Sequence, residues 1–466
     1  MIAMNRPIPP CATPSSTNKR CLAAFLQSLF LACTLLFTTA HAADGDPDPT
    51  FGGDGVNYVE WASGPADAAR LGVGADGKVY VGATVNRGNN DFDFAVTRLR
   101  TDGGLDLTFG VLGYRVVPFN YVADGGDNLR GVFPLSDGKV MLLGNAHVLD
   151  EIPAAAPPAM VRLTATGSVD TSFGIAGKLS IGPAQSPWPN SNLYLRGVAR
   201  QPDGKFLFGG YCVNCVETYN AVVLRVDENG TPDASFGQNG WAKVTTPQPN
   251  ALWSMGVDSQ GRIVLAGNVY DGIYRPMVVR MTSAGTTDTT FGGGDGVATF
   301  SLPGAAEINW SATDVAFDRN DSLVVSVANY QPLEVDRTGL IRLSQNGSID
   351  IGYGDFGLFD LTRDDGSKIV ALAMRSDRRL VAAGWIDYMS SFDFYVARML
   401  PTGDLDNSFD SNGVARYMLS TARDEGQAMI LSAGKPVIAG RASVNGGGGV
   451  AILRLQSDLM FTDGVD

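Results

Sequence analysis

Histidine and cysteine are scarce in this chain of 466 residues, which contains two histidines and five cysteines. Beyond residue 43, the sequence keeps only His147, Cys212 and Cys215 of these two residue types. A multi-histidine metal site or a Ser-His-Asp triad would therefore depend on His147 alone, and no G-x-S-x-G nucleophile elbow accompanies it. We interpret His147 as a solvated loop residue. Phosphate-binding and metalloprotease motifs are also missing, so the sequence indicates no catalytic residue.

Positive charge is in short supply as well. The chain has 35 lysines and arginines against 48 acidic residues, and its net charge is −13. An acidic surface repels phosphate backbones and anionic lipid. We therefore expect no nucleic-acid binding and no attachment to membranes through basic patches.

Long apolar runs are confined to the start of the chain, where one extends from Cys21 to Leu36. Three basic residues precede it, and the small-residue sequence Ala40-His41-Ala42 follows it. This order is typical of a signal peptide. We predict that residues 1–43 are cleaved and that the rest is exported to the periplasm, the cell surface or the medium of a bacterium, with no transmembrane span left. The alternative is an uncleaved anchor, because Cys21 to Ala40 is long enough to span a bilayer.

Cys212 and Cys215 form the sequence Cys-Val-Asn-Cys. In an exported protein, two cysteines this close predict a small structural disulfide that closes a loop. A thioredoxin-like redox pair would need the motif at a helix start within a βαβ unit, which the flanking sequence does not provide. Half of a zinc site is a further alternative, although no second Cys or His pair completes it.

Glycine is abundant, with 57 residues, and it ends most copies of a repeated Asp-x-Ser/Thr-Phe-Gly sequence. Seven copies begin at Asp48, Asp106, Asp170, Asp233, Asp288, Asp350 and Asp406. Their aromatic positions recur at a nearly regular interval along the chain. A period of roughly 60 residues is too long for a helix pair and suits a unit of four strands.

Each period is predicted to contain four short strands. The first follows Phe-Gly, as in Val56 to Trp61, and the second corresponds to Leu195 to Ala199. A tight hairpin such as Asp76-Gly77-Lys78 then leads into the third strand, Val79 to Ala83 in the first unit. Its continuous apolar sequence indicates burial on both faces. The fourth strand ends on an arginine.

This arginine is the second fixed position of the repeat. It recurs as Arg98, Arg162, Arg225, Arg280, Arg342, Arg398 and Arg454. In the first six units a glycine follows after five residues, and the next motif aspartate follows after eight. The repeat varies in total length while this segment contains no insertion, so we expect a rigid connection between Arg and Asp.

The count of arginines and aspartates indicates a closed ring. Asp48 has no arginine upstream, and Arg454 is followed eight residues later by Thr462 instead of an aspartate. A ring in which the strand near Val56 completes the last sheet brings Asp48 to Arg454, whereas an open solenoid leaves both without partners. We therefore predict an all-β fold, a monomeric seven-bladed β-propeller of four-stranded antiparallel blades that is closed by strands from both termini.

We interpret the seven Arg–Asp pairs as structural. Each hydrogen-bonded ion pair would fix an inter-blade turn to the end of the preceding strand, and the motif phenylalanine would pack between blades. The alternative is a ring of Arg or Asp side chains around a ligand. Residues that are identical in every blade favour the structural interpretation.

The pattern Arg-x-x-x-x-Gly-x-x-Asp-x-Ser/Thr-Phe-Gly, with Asp-Gly-Lys hairpins, resembles the delta-60 repeat, a bacterial family of exported β-propellers. The resemblance covers residues 44–466 and implies a propeller fold and an exported location, without a substrate or cofactor. The sequence departs from the pattern at Gly352 and Tyr353, at Asp410, and at Asn320-Asp321-Ser322 in the fifth hairpin. We expect local irregularity at these places.

Residues 72–77, Gly-Val-Gly-Ala-Asp-Gly, match the dinucleotide-binding fingerprint in their letters. The fingerprint requires a helix after its glycines to hold the pyrophosphate, whereas the following Lys78-Val79-Tyr80-Val81 predicts a strand. We assign these glycines to a hairpin and expect no cofactor.

Asp44, Asp46, Asp404 and Asp410 are candidate calcium ligands. They cluster with other acids at the start of the repeats and in the seventh copy, and carboxylate oxygens are the ligands that calcium prefers. The alternative is turn formation, which explains most of these acids by itself.

Loops of variable length are where a propeller carries specificity. Four such segments contain prolines or aromatic residues: 151–159, 182–192 with Trp188, 211–219 and 270–274. Exposed aromatic rings there would stack on sugars or pack against a protein, although each loop is also explained as a tolerated insertion.

The sequence favours a non-catalytic binding or adhesion module with an unknown protein or glycan ligand. The alternative is a lyase or hydrolase with its active site in the central funnel. That alternative predicts a polar cluster in only one or two blades.

Overall fold

The computed structural model describes residues 44–457, apart from residues 63, 89–90, 120–125, 147–156, 183–184, 189–191, 214, 216–218, 303–308, 330–336, 356, 362–365, 389–390 and 445–446. The predicted signal peptide and His147 therefore lie outside the described residues. Those that are described form 28 strands in seven four-stranded sheets. The structure is a seven-bladed β-propeller, and the predicted fold class is confirmed. Within this part of the chain, no helix has the length and hydropathy of a membrane span.

Every blade has the same strand order, from an innermost strand at the central channel to an outermost strand at the rim. The innermost strands of blades 1 to 7 are β2 (Ala66–Val73), β6 (Asn128–Pro134), β10 (Asn192–Arg200), β14 (Asn250–Val257), β18 (Trp310–Phe317), β22 (Ser367–Met374) and β26 (Glu425–Ser432). The second strands are β3 (Val79–Asn86), β7 (Val140–Asn145), β11 (Phe206–Val213), β15 (Ile263–Tyr270), β19 (Leu323–Asn329), β23 (Leu380–Tyr388) and β27 (Lys435–Val444).

The third strands are β4 (Phe92–Leu99), β8 (Pro158–Leu163), β12 (Asn220–Val226), β16 (Tyr274–Met281), β20 (Thr338–Leu343), β24 (Ser391–Met399) and β28 (Gly447–Arg454). The outermost strands are β5 (Tyr114–Val117), β9 (Lys178–Ser180), β13 (Trp241–Lys243), β17 (Val297–Thr299), β21 (Leu358–Asp360), β25 (Val414–Tyr417) and, in blade 7, β1 (Val56–Val59).

The core lies between the blades. Second and third strands are almost entirely buried, as in β3 and β12. Both faces of these strands are covered by neighbouring blades, so their residues are apolar without alternation. In one such layer Val81 and Ala83 of β3 pack with Val437 and Ile452 of blade 7.

The ring is closed by β1, which forms the outer edge of the last sheet. Val56 pairs with Leu453 and Val59 with Val450 in antiparallel register. Just upstream, the backbone N–H of Asp48 donates to the carbonyl oxygen of Arg454 at 2.8 Å. Blade 7 therefore combines three strands from one end of the described chain with one strand from the other.

The two ends of the ring are built differently. On one end, called the hairpin face below, innermost strands turn into second strands. Third strands also lead to outermost strands there, through loops that have the same length in blades 1 to 6 except for a single extra residue in blade 4.

On the other end, called the crossover face, second strands lead to third strands and outermost strands lead to the next blade. These connections vary widely in length, from two residues between Tyr388 and Ser391 to twelve residues between Asn145 and Pro158. Variable loops are thus collected on the crossover face.

The places that depart from the repeat keep a regular backbone. In the fifth hairpin Asp321 has the left-handed conformation (φ 56°) that Gly261 has in the fourth, and Asp410 (φ 43°) replaces the last glycine of the motif. The carboxylate of Asp321 accepts hydrogen bonds from Ser259 and Gln260 of the neighbouring blade, which stabilise the turn. The expected irregularity does not disrupt these sheets, because blades 5, 6 and 7 each keep four strands.

Candidate functional site

The repeated arginine and aspartate meet in every blade, on the hairpin face. Nε of the arginine lies 2.7 to 3.0 Å from Oδ2 of the aspartate in Arg98–Asp106, Arg162–Asp170, Arg225–Asp233, Arg280–Asp288, Arg342–Asp350, Arg398–Asp406 and Arg454–Asp48. The last pair joins the two ends of the described chain. Asp48 and Arg454, which have no partner eight residues away in the sequence, are therefore partners in the fold.

Each aspartate also anchors a turn. In blade 1, Oδ1 of Asp106 accepts hydrogen bonds from the N–H and the hydroxyl of Thr108 at 3.1 and 2.6 Å, and Nζ of Lys78 lies 3.3 Å from Oδ2. Burial favours the neutral acid, but these donors outweigh it and hold the pKa of Asp106 well below its ordinary value. In blade 2 the hydroxyl of Ser172 is the main cause that lowers the pKa of Asp170 to about 2.

The same arginine reaches the next blade. Nη1 of Arg98 donates to the carbonyl oxygen of Ala165 at 2.8 Å, and Nη1 of Arg454 donates to that of Thr101 at 2.7 Å. Each motif guanidinium also lies over the aromatic ring of its own motif, 4.5 to 5.1 Å from the ring centroid. One side chain thus connects a strand end, a turn and a neighbouring blade.

The glycine between Arg and Asp explains the constant length of this segment. Gly167 has φ +78°, and a Cβ at this position would lie 2.5 Å from the backbone nitrogen of Gly110 in the preceding blade. The N–H of Gly110 donates to the carbonyl oxygen of Thr166 at 2.7 Å. A Cβ at Gly103 would likewise lie 2.7 Å from the backbone nitrogen of Gly52 and 2.8 Å from the ring of Phe51. An insertion would move this turn away from the preceding blade.

The acidic residues considered for calcium have neighbours of several kinds among the described residues. Asp44 forms an ion pair with Arg398, and the carboxylate of Asp404 accepts a hydrogen bond from Thr402 at 2.8 Å. Burial and the nearby charge of Asp46 raise the pKa of Asp410. Among the residues that the structure describes, no group of three or more His, Cys, Asp or Glu side chains is arranged to hold a metal ion.

The crossover face contains a cavity of about 680 Å³ at the end of the central channel, lined by residues of blades 3 to 6. Its aromatic residues are Tyr211, Tyr219, Trp253, Tyr270 and Tyr274. The ring of Tyr211 stacks on Tyr194 at 5.0 Å and meets Trp253 edge-on at 6.1 Å. Tyr270 and Tyr274 pack on each other at 5.0 Å. Trp253 is 37% and Tyr270 45% exposed, so these rings are available to a ligand.

Two cations share this cavity with the aromatic rings. The guanidinium of Arg196 lies 4.9 Å from the ring centroid of Trp253 and 5.5 Å from that of Tyr211, and its Nη2 donates to the Tyr211 hydroxyl at 3.2 Å. Cation–π contacts of this kind contribute about 0.5–1 kcal/mol each at exposed sites. Lys368 of blade 6 is the second cation of the lining.

Further lining residues are polar and come from blades 4 and 5. Nδ2 of Asn268 donates to Oγ of Ser311 at 2.7 Å, and the hydroxyl of Thr313 lies 2.9 Å from that of Ser326. Such amides and hydroxyls fix the orientation of a ligand in an otherwise apolar pocket. The cavity therefore combines aromatic, cationic and hydrogen-bonding groups.

Arg196 and Trp253 reach this position through β-bulges. At the same level of each innermost strand of blades 2 to 7, one residue has no partner on the second strand: Arg130, Arg196, Trp253, Thr313, Val370 and Gln427. A bulge re-aims the side chain of the extra residue, and bulges recur next to functional sites. Here the bulge repeats while the residue type varies, so six side chains of five types, with arginine in both blades 2 and 3, meet at one level of the channel.

The cavity brings together two of the four loops that the sequence singles out. Residues 211–219 and 270–274 both contribute aromatic rings. In the segment 182–192, Trp188 instead packs edge-on against Trp241 at 6.2 Å within blade 3, and most of the segment 151–159 lies outside the described residues. Sequence reasoning missed Trp253. Its one signal is a bulky residue inside the second predicted strand of its repeat, at the position where Arg196 stands one repeat earlier.

Cys212 and Cys215 form a disulfide beside the cavity, with their Cα atoms 5.8 Å apart. Both side chains are buried, and Cys212 directly follows Tyr211. In the chain, the bond lies between Tyr211 and Tyr219, the two tyrosines of blade 3 that line the cavity. At another predicted turn, the glycine-rich residues 72–77 lie at the end of β2 and in the hairpin to β3, where Gly77 has φ +74°.

Fold and cavity together define the class of this protein, a seven-bladed β-propeller with an asymmetric aromatic cavity on its crossover face. Five segments, residues 74–109, 135–173, 201–236, 259–291 and 375–409, match the family described as "Domain of unknown function (DUF5122) beta-propeller". All five end on the motif phenylalanine, so the matched unit runs from the hairpin to the Arg–Asp turn. The match supports a β-propeller repeat family. No curated protein matches the chain in sequence.

Several solved propellers are similar in structure. Polysaccharide lyase Uly1 is 12% identical, with a TM-score of 0.51 over 90% of this chain and 98% of that one. Virginiamycin B lyase from Staphylococcus aureus, solved with quinupristin, is 13% identical, with a TM-score of 0.47 over 85% and 98% of the two chains. An ulvan lyase of family PL25 is 10% identical, with a TM-score of 0.46 over 86% and 96%. Likeness at these identities shows the fold alone.

Proposed function

We propose that this protein is an exported, non-catalytic binding module whose ligand is a glycan held in the aromatic cavity of the crossover face. One observation carries the proposal. Five partly exposed aromatic side chains, all from blades 3 and 4, surround one concave cavity, while the hairpin face repeats the same contacts in every blade. A feature that breaks the symmetry of a repeated fold needs a reason other than holding the blades together.

The size and chemistry of the cavity support a sugar ligand. Its volume of about 680 Å³ falls within the range of roughly 300–1,000 Å³ that small-molecule sites occupy. Tyrosine and tryptophan rings offer flat apolar surfaces with a polar tip, and the apolar face of a sugar ring stacks on such surfaces. Asn268, Ser311 and Thr313 add hydrogen-bonding groups for sugar hydroxyls.

Binding to a glycan array followed by titration calorimetry tests this proposal. We expect Trp253→Ala and Tyr270→Ala each to weaken the affinity for the best glycan by about tenfold or more, because each removes a ring whose burial contributes about 1.5–3 kcal/mol. Ile175→Ala is the matched control, since this side chain is 84% exposed on the hairpin face, and its affinity should equal that of the wild type. Capture of a protein with no glycan bound, or glycan affinity that survives both aromatic substitutions, would contradict the proposal.

The proposal also includes cleavage of the signal peptide on export, stability without calcium, and membership of a repeat family. We assign the repeats to the delta-60 type, give the Arg–Asp network a structural role, and expect a monomer. Amino-terminal sequencing of the exported protein should start near Ala43, whereas recovery of the intact chain in membranes would favour the uncleaved anchor. Dialysis against EDTA should leave the melting temperature unchanged, and a marked drop that calcium restores would instead support calcium ligands among Asp44, Asp46, Asp404 and Asp410.

A second candidate function is β-elimination of a uronic-acid polysaccharide at the same cavity, favoured by the hydrogen bond from Arg196 to the Tyr211 hydroxyl. In this reaction a base takes the proton from the carbon beside the carboxylate, that electron pair forms a C=C bond, and the glycosidic oxygen leaves with a proton. A tyrosine is one side chain that performs such transfers. Ultraviolet detection of the unsaturated product, lost in Tyr211→Phe while binding persists, would replace the non-catalytic proposal.

A further inference from the structure

We infer that the glycan carries an anionic group, a carboxylate or a sulfate ester, and that Arg130 and Arg196 bind this group beside the aromatic wall. The inference rests on the proposed function and specifies the chemical class of its ligand.

The two arginines stand side by side at the bulges of adjacent innermost strands, β6 and β10, which contact each other. A third arginine approaches from blade 1, where Nε of Arg70 donates to the carbonyl oxygen of Arg130 at 3.1 Å. Arg196 lines the cavity itself. Three guanidinium groups from blades 1, 2 and 3 therefore come together at the end of the channel that opens into the cavity.

Arg130 and Arg196 lack compensation within the described part of the chain. The Nε atoms of both are buried without a hydrogen-bond partner there, and neither side chain forms an ion pair with a described carboxylate. Burial, with the like charges of Arg70 and Arg196, lowers the pKa of Arg130 to about 10. The arginines therefore repel one another in surroundings that screen charge poorly.

This arrangement contrasts with the other arginines of the same protein. On the hairpin face each motif arginine has its own aspartate, and the chain as a whole has 13 more acidic than basic residues. Carboxylates were thus available as partners, yet the channel brings arginines together. Arg130 and Arg196 are partly buried; shielding cations from water without a counter-charge costs free energy, and an anion that enters between them reduces this cost.

The chemistry of the guanidinium group specifies the anion. Its planar fork of N–H donors matches the paired oxygens of a carboxylate or a sulfate, and such charge-assisted pairs are about twice as strong as neutral hydrogen bonds. Lys368 adds a cation to the cavity lining from blade 6. A sugar ring stacked on Trp253 would have its acidic substituent within the reach of Arg196, because Trp253 and Arg196 are already in contact.

Calorimetry with three oligosaccharides of equal length tests the inference: oligogalacturonate, a sulfated dextran and neutral dextran, with inorganic sulfate and glucuronate measured in parallel. We expect the wild type to prefer an anionic oligosaccharide over the neutral one by at least about tenfold, and to lose this preference as salt is raised. The preferred polymer identifies the anion as carboxylate or sulfate. Arg130→Gln and Arg196→Gln should each weaken anionic binding at least about tenfold, and Arg130→Lys should retain part of it.

Arg100→Gln is the matched control, because it removes the same charge from an arginine that is 50% exposed on the hairpin face, where it pairs with Asp102. Equal binding of neutral and anionic oligosaccharides, unchanged in Arg130→Gln but weakened in Trp253→Ala, would overturn the inference and leave the proposed function standing. Binding of inorganic sulfate alone through Arg130, with no affinity for glucuronate or any oligosaccharide, would keep the anion site and contradict a glycan ligand. If none of the five probes binds, the inference is wrong, and the glycan array decides the proposed function. Circular dichroism checks the folding of each variant, and if Arg130→Gln is unfolded, Arg196→Gln and the salt dependence of the wild type decide.

Discussion

The hairpin face and the crossover face are produced by the same repeat, but the seven blades agree on one and differ on the other. On the hairpin face one ion pair recurs seven times, and the loops that contain its aspartates in blades 1 to 6 differ by a single residue in length. On the crossover face connections vary widely in length, and the bulge residue is arginine in blades 2 and 3 but tryptophan, threonine, valine and glutamine in blades 4 to 7. The motif that identifies the repeat therefore marks the part of each blade that holds the ring together. The candidate site lies on the crossover face, where the residues differ from blade to blade.

The motif aspartates and Asp314 of β18 have pKa values shifted in opposite directions. Motif aspartates are surrounded by donors, which lower their pKa values. Asp314 follows the bulge of β18 and accepts hydrogen bonds from Oγ of Ser254 at 2.7 Å and from the N–H of Leu372 at 2.9 Å. These donors do not outweigh burial, which raises the pKa of Asp314 to about 6.

Asp48→Ala should cause the largest loss of stability. It should also show that the hairpin face determines stability without affecting ligand binding on the crossover face. The substitution leaves Arg454 and Lys435 without their buried partner, so we expect a loss of about 3–5 kcal/mol in the free energy of unfolding, measured with urea. Glycan affinity, measured well below the melting temperature, should not change. Asp350→Ala is the comparison, because its side chain is 37% exposed and its pair is partly solvated, so it should cost less. Equal losses in both variants would contradict this ranking.

Asp314→Asn should change the pH dependence of stability. In the wild type the folded protein holds this proton up to about pH 6, while the unfolded chain releases it near its ordinary value of 3.8, so stability falls as pH rises between these values, by about 3 kcal/mol in total. The amide cannot ionise, and the variant should be more stable than the wild type at pH 7. Thermal unfolding from pH 3 to 8 measures this difference, and parallel curves for both proteins would be the contrary result.

Motif aspartates should act in the opposite sense. Their pKa values are lowered on folding, so their contribution is complete above the unfolded pKa and is lost as pH falls, down to about 2 for Asp170. The wild type should therefore be most stable between about pH 4 and pH 6, where the seven motif aspartates are ionised even in the unfolded chain while folded Asp314 still holds its proton. The optimum should broaden toward neutral pH in Asp314→Asn.

Two glycine substitutions compare how strongly the loops of each face constrain the fold, with smaller expected losses of stability. Gly167 on the hairpin face and Gly272 on the crossover face both have positive φ, but only at Gly167 would a Cβ meet other atoms within 4 Å. We expect Gly167→Ala to cost about 3 kcal/mol, from strain and from contact with the preceding blade, and Gly272→Ala about 1 kcal/mol from strain alone. Urea unfolding measures both. A larger cost at Gly272 would mean that the crossover loops constrain the ring as strongly as the motif does.

A modest stability effect is also expected at the disulfide. Replacing Cys212 and Cys215 by alanine opens a very short loop, which costs at most about 2 kcal/mol. Because Tyr211 adjoins Cys212, the same variant should bind the glycan a few-fold more weakly. Calorimetry on the double variant tests this expectation, and the variant Ile175→Ala again serves as the control. Unchanged affinity would show that the aromatic wall is positioned without the disulfide.

Much of the fold followed from the sequence because it is encoded locally and repeated. Arg98 and Asp106 lie eight residues apart, so their contact depends on one turn, and the ring followed from counting such pairs. The site is encoded differently. Tyr211 and Tyr270 are visible as aromatic residues of loops, but their meeting depends on how adjacent blades pack. Arg130 and Trp253 are exposed to the channel by a bulge, and a bulge is a property of strand register that no spacing in the chain reveals.

The pairing of β1 with β28 determines the order in which the blades fold and unfold. Val56 and Leu453 lie almost the whole described chain apart, and closing so long a loop costs about 3 to 4 kcal/mol more than closing a hairpin. Blades 1 to 6 are assembled from neighbouring segments and can form first, so the seventh is completed last and is the first to open under tension on either end. In a ring of seven, blades 3 and 4 lie opposite blade 7, where β1 pairs with β28. If both ends of the protein are pulled, we therefore expect the pairing of β1 with β28 to break first while the aromatic cavity stays intact.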